Sequence, residues 1–215
     1  MSEAVLYAGA HRQQVIRWVG AAITILIAAA VVFWYSSYKS SVRERELQGA
    51  FSILDVPVGS SSSSGKSFPN EQAKRQAAIK AFSDVVAKAG GTREGLTAQY
   101  YLGTLKAQNG DTKGAEADLT AVSNSSSECA PLAKMALAQL CAGQNRVRQA
   151  RSLLEDIVNK PTDLVSKAQA QLLLARLDAS TNPQEAKKIL QSLRVPNQDP
   201  AVSRAADEIS SEISK

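Results

Sequence analysis

The chain has 215 residues, one histidine, two cysteines and a formal net charge of +5, which leaves room for one ordinary domain plus appendages. That inventory works against a metal site or a histidine-based triad, and the modest basic excess is too thin for a nucleic-acid-binding surface, although it suits anionic lipid or an acidic partner. Scarce aromatics (5%) and abundant alanine predict an all-α chain of closely packed helices with no cofactor and no enzymatic activity.

Residues 1–17 form a short tail, in which His11 beside Arg12 suits a lipid headgroup contact. Between Arg17 and Lys39 runs the uncharged stretch WVGAAITILIAAAVVFWYSSY, Trp18 to Tyr38. A helix of that length spans roughly 32 Å, matching a hydrocarbon core of about 30 Å. Trp18 stands at one end and Trp34, Tyr35 and Tyr38 at the other, and Arg17 and Lys39 flank them. This is the pattern of an interfacial aromatic belt in a lipid bilayer. A cleaved signal peptide has a shorter apolar region and small residues at its cleavage site, so residues 18–38 are expected to be an uncleaved signal anchor. Counting Arg12 and Arg17 against Lys39, Arg43 and Arg45 does not fix its orientation.

Residues 39–55 continue as a membrane-proximal helix, with Leu47, Ala50, Phe51 and Leu54 at helical spacing. Residues 56–70 then read as a Gly/Ser-rich flexible linker that lets the C-terminal part swing. Within it, Gly59 to Ser67 mimics a phosphate-binding loop. The spacing is wrong: five residues separate Gly59 from Gly65, where the motif wants four so that backbone amides close on a phosphate. No strand precedes it, Pro57 interrupts the approach, and the next helix begins after Pro69 and Asn70.

Residues 71–198 read as repeated helical hairpins. Ala78, Ala115, Ala150 and Ala186 recur at spacings of 37, 35 and 36, each four residues before Phe82, Leu119, Leu154 or Leu190. A second track places Leu102-Gly103, Leu137-Ala138 and Leu174-Ala175 twelve, twelve and eleven residues before the next alanine. Small residues let two helices approach to about 8–10 Å, and hairpins that cannot bury a face alone must stack. The turns agree. Asn109-Gly110-Asp111 and Gly143-Gln144-Asn145 each offer an αL residue and a cap. Asn182-Pro183-Gln184-Glu185 offers a cap, a proline at the first helical position and a capping box. Asp199 and Pro200 open a capping helix over residues 199–215, with Val202, Ala205, Ala206 and Ile209 inward. Cys129 and Cys141 lie about 18 Å apart if on one helix, too far for a disulfide, and read as small apolar residues. Asn124-Ser125-Ser126 matches a glycosylation sequon, a pattern common by chance.

This double track resembles the tetratricopeptide repeat. Gly103, Ala138 and Ala175, then Ala78, Ala115, Ala150 and Ala186, stand at its small positions, and Pro161 and Pro196 lie near repeat ends. The signature tryptophan is missing, and Lys106 and Cys141 occupy the tyrosine position. As a whole, the tail, anchor, membrane-proximal helix and degenerate repeats resemble the bacterial YfgM family of inner-membrane proteins. That resemblance implies a cytoplasmic N-terminus and a periplasmic repeat domain. It further implies Sec translocon subunits, periplasmic chaperones or unfolded client chains as partners. An envelope-assembly or cell-division scaffold would share the architecture.

Stacked hairpins present a concave surface lined by the first helix of each pair. In this register the groove-facing residues are Thr97, Tyr100 and Thr104, then Met135 and Gln139, then Leu172 and Arg176. Rigid aromatic area, an adaptable thioether and a forked donor suit a peptide or unfolded segment. Equally, helical spacing leaves Met135 and Leu172 as core and Arg176 as a solvated charge.

Overall fold

The computed structural model describes residues 12–59, 67–194 and 199–213, and only some of the side chains of residues 12–38. The described part is helical, apart from turns and a single β-bridge. It divides into two compact units, Met1–Glu46 and Leu47–Lys215, whose boundary falls inside the first helix, α1, Arg12–Asp55.

In the first unit the backbone of α1 is helical through the apolar run. Trp18, Ile23, Ile25, Leu26, Ile27 and Trp34 are each more than half exposed, and Lys39 is exposed as well. The side chains of Arg17, Tyr35 and Tyr38 lie outside the described residues, as does His11. Among the described residues no helix is long and apolar enough to cross a membrane.

The second unit begins with the last turns of α1. Ala50 is 2% exposed in a cluster with Ala78, Phe82, Val85, Ala98 and Leu102, and Leu47, Phe51, Ile53 and Leu54 pack against it. The Phe51 ring meets Phe82 edge-on at 5.2 Å and Tyr101 at 4.7 Å. These turns therefore pack with α2 (Glu71–Ala89) into the repeats instead of running free of them. Of the linker, residues 60–66 lie outside the described residues, but its ends are tied together. The Gly59 amide donates to the Phe68 carbonyl (2.9 Å) and the Phe68 amide to that of Pro57 (3.1 Å), forming the bridge between Val58 and Phe68. Two backbone hydrogen bonds close the loop at its base, where a freely swinging tether was expected. α2 starts at Glu71, with Asn70 Oδ1 accepting from the Ala73 amide at 2.8 Å.

Three further hairpins complete the stack: α3 (Arg93–Gln108) with α4 (Thr112–Ser123), α5 (Ala130–Gly143) with α6 (Val147–Asn159), and α7 (Lys167–Asp178) with α8 (Pro183–Ser192). From α2 onward each helix packs on the next, and α9 (Pro200–Ile213) packs on both α7 and α8. The small-residue track is the spine of the stack. Ala78, Ala115, Ala150, Ala175 and Ala186 are fully buried and Ala138 is 1% exposed. At Gly103 a Cβ would come within 2.9 Å of Leu119 Cγ on α4, so the crossing tolerates nothing larger without movement. Leu119, Leu154 and Leu190 fill the gaps beside it.

The turns match the sequence in part. Gly110 takes φ +85° and Asn145 takes φ +61°, the left-handed geometry that glycine and asparagine tolerate best. Asp111 Oδ1 accepts from the Gly114 amide at 2.9 Å, and Asp199 Oδ1 accepts from Ala201 at 2.8 Å. Two expected caps are absent. Arg146 precedes α6 with no side-chain cap, and Asn182 precedes α8 with none either. At Asn182 the backbone has ψ 69°, away from the extended geometry that aims a capping oxygen along the helix. Glu185 instead pairs with Lys188 at 3.4 Å. A capping box does form at α7, where Ser166 and Gln169 exchange hydrogen bonds of 2.9 and 3.2 Å. The inward face of α9 is as expected, with Ala206 and Ile209 buried and Val202 packed against the same cluster.

Candidate protein-binding groove

The first helices of the hairpins carry the seven residues that the repeat register aims at a concave surface. They separate into two groups. On α3, Thr97 donates to its own helix at Arg93 O (2.9 Å) and Thr104 donates to Tyr101 O (2.8 Å). Tyr100 packs against the cluster of Leu119, Val122, Ala133 and Leu137 and meets the Tyr101 ring at 5.2 Å. Its half-buried setting pushes the phenol up from its ordinary value of 10.0, burial being the largest cause. These three side chains are used by the fold.

On α5 and α7 the outcome differs. Met135, Gln139, Leu172 and Arg176 come together, with Gln169 and Leu173, in a cleft of about 270 Å³. Ala205 and Ile209 of α9 complete its wall, two residues that the sequence assigned to capping alone. A second cleft of about 480 Å³ adjoins it, lined by Ala138, Ala142, Val147, Leu154 and Leu177 among others. Gln139, Leu173 and Arg176 line both. Met135 and Leu172 are half-buried and also pack against core clusters, whereas Gln139 and Arg176 are exposed. Core and groove are thus one surface here, not alternatives.

Ion pairs tie neighbouring helices of the stack to one another. The signature tyrosine position, one turn past each small residue, holds Lys106, Cys141 and Asp178. Lys106 pairs with Asp118 of α4 at 2.7 Å. The Asp178 carboxylate, fully buried, accepts both Nη atoms of Arg151 on α6, one of them at 2.9 Å. That bidentate fork fixes α7 against α6 two residues from Arg176. Arg146 makes a second fork to Glu116 of α4, with both contacts at 2.7 Å. It holds the Glu116 carboxyl below its ordinary value of 4.5, the hydrogen bond being the main cause. Lys134 on α5 bonds Asp156 on α6 and lowers that carboxyl in the same way. Among the described residues no group of three or more His, Cys, Asp or Glu is placed to hold a metal ion, and both cysteines are free thiols.

A profile of the tetratricopeptide repeat-like domain matches residues 15–162, well over half of the 215 residues. The chain belongs to the tetratricopeptide repeat-like domain family. The match starts within α1 and stops before α7. The family resemblance thus includes the first hairpin, whose small pair Ala50 and Ala78 the twelve-residue rule had missed. The pattern's continuation through α7 and α8 rests on the buried Ala175 and Ala186. No curated protein and no solved structure matches the chain. A tetratricopeptide repeat-like domain suggests a protein–protein interaction module, with protein partners in general.

Proposed function

We propose that the chain is a membrane-tethered, non-enzymatic interaction module that binds extended protein segments through the face of α5 and α7. One observation carries the reading: Met135, Gln139, Leu172 and Arg176, aligned by the repeat register, converge on a cleft of about 270 Å³ that remains open beside the fully buried small-residue spine. Apolar walls with a few polar groups are the usual make-up of a recognition site.

The tether is the run Trp18–Tyr38, whose length and aromatic ends suit a signal anchor. The large apolar side chains exposed on that helix support it, since uncovered apolar surface of this kind marks an interaction or membrane site. With the YfgM-like order of segments, the N-terminus lies in the cytoplasm of a bacterial cell and the repeats lie in the periplasm. There the partners are Sec translocon subunits, periplasmic chaperones or emerging client chains. Anchoring beside an export channel raises the local concentration of the binding face without any new contact.

The test combines topology with capture. Protease added to spheroplasts should degrade the repeats. Crosslinking in membranes should recover translocon subunits with the native chain and recover fewer of them with Leu172→Asp. Protected repeats would reject the export-side placement, and recovery unaffected by Leu172→Asp would reject the groove.

A further inference from the structure

The two clefts share one cation. Arg176 is the sole charged side chain lining either of them among the described residues, and it is exposed. Three cations on the neighbouring helices are committed elsewhere: Arg151 to Asp178, Arg146 to Glu116, Lys134 to Asp156. Among the described residues no carboxylate lines either cleft. The neighbours of Arg176 there are apolar or carry amides and hydroxyls: Gln139, Asn145, Gln169, Ser180 and Thr181. Gln139, exposed beside it at the equivalent repeat position on α5 and lining the same two clefts, can both donate to and accept from a backbone amide.

We infer that this face selects a segment with one acidic side chain between two apolar ones, the carboxylate on Arg176 and an apolar side chain in each cleft. This rests on the groove reading above and adds the chemistry of the occupant. Three features of the site set that chemistry. A guanidinium matches a carboxylate with two parallel hydrogen bonds. Its charge is uncompensated within the clefts, so a basic residue there meets repulsion, a selection against wrong partners as well as for right ones. The apolar volumes lie on both sides of Arg176, toward Met135 and Ile209 in one direction and toward Val147 and Leu154 in the other. An acid at the end of a segment would therefore leave one cleft empty, whereas an internal acid fills both.

The discriminating experiment probes the full chain in detergent micelles with an array of random ten-residue peptides, alongside Arg176→Gln, Arg176→Glu and Leu172→Asp. The expected result is enrichment of a single Asp or Glu with apolar residues on both sides. Replacing that acid by its amide should weaken binding about tenfold, the scale of a charge-assisted hydrogen bond. Arg176→Gln should abolish the preference while retaining apolar enrichment, and Arg176→Glu should turn it toward Lys or Arg. Apolar enrichment with no acid, unchanged in Arg176→Gln but lost in Leu172→Asp, would overturn the inference and leave the groove standing. Binding unaffected by Leu172→Asp, or no enrichment at all, would remove the groove and the inference together. Because Arg176 is exposed, Arg176→Gln should fold like the native chain, which its thermal unfolding verifies.

Discussion

The first helix of the α3–α4 hairpin and those of the next two hairpins present residues at the same repeat positions, yet only the later pair leaves a surface open. On α3, Tyr100 packs toward Leu119 and Val122, and both threonines spend their hydroxyls on their own backbone. On α5 and α7 the matching positions hold Met135, Gln139, Leu172 and Arg176, which gather around two clefts. The difference lies in side-chain size and supply of partners. Beside Tyr100 stand the Tyr101 ring and the apolar side chains Leu96, Leu119, Val122 and Leu137, and they fill that end. Beside Gln139 stand Ala138 and Ala142, which do not. A repeat register therefore tells which side chains face one way, and the volume of their neighbours decides whether a groove remains.

The comparison can be broken most severely from beneath the open end. Arg151→Ala strands the fully buried Asp178 carboxylate without its guanidinium partner. Loss of one partner of a buried charge pair is strongly destabilising, and since Arg151 is partly exposed we expect about 2–3 kcal/mol in chemical denaturation. Arg151→Leu with Asp178→Leu should restore most of it. Next comes Tyr100→Ala, which should cost about 2 kcal/mol, below the range for a fully buried aromatic, with peptide binding unchanged. Leu172→Asp should show the reverse: about a tenfold loss of peptide binding with a smaller loss of stability. If Tyr100→Ala weakens binding as much as Leu172→Asp does, the two ends are not functionally different.

Acid gives a graded test of the ion pairs between neighbouring helices. Glu116 and Asp156 have carboxyls held below their ordinary values of 4.5 and 3.8. A depressed folded-state pKa adds stability that is present above the unfolded-state value and is lost as pH falls through the folded-state value. The melting temperature should therefore decline as pH drops below about 4.5, and Glu116→Gln should flatten the upper part of that decline. The smallest expected effect is Thr104→Val, which removes a hydroxyl bonded only to its own helix among the described contacts and should change stability by no more than about 0.5 kcal/mol.

Much of this was legible in the sequence. Small residues at a fixed period announced the hairpins because a helix crossing admits little else at its closest point, and Gly103 against Leu119 shows how little. Hidden were the features that depend on distance in space. The pairing of Ala50 with Ala78 escaped notice because residues 56–70 stretch the spacing from twelve to 28. The bridge between Val58 and Phe68 has no local signature, since it joins backbone groups across a serine run. The contribution of α9 to the cleft, through Ala205 and Ile209, depends on how a capping helix settles on α7. The ion pairs made at two of the signature tyrosine positions link residues 12 and 27 positions apart, and a periodic pattern of apolar residues is silent about them.

The chain has two methionines, Met1 and Met135, and Met135 lines the smaller cleft. Methionine labelled with ¹³C at its methyl group therefore places one reporter inside the groove and one at the far N-terminus. Titrating the labelled full chain with a peptide that carries one glutamate between two leucines should move the Met135 signal saturably and leave Met1 in place. Binding of that peptide with an unmoved Met135 signal would contradict the account.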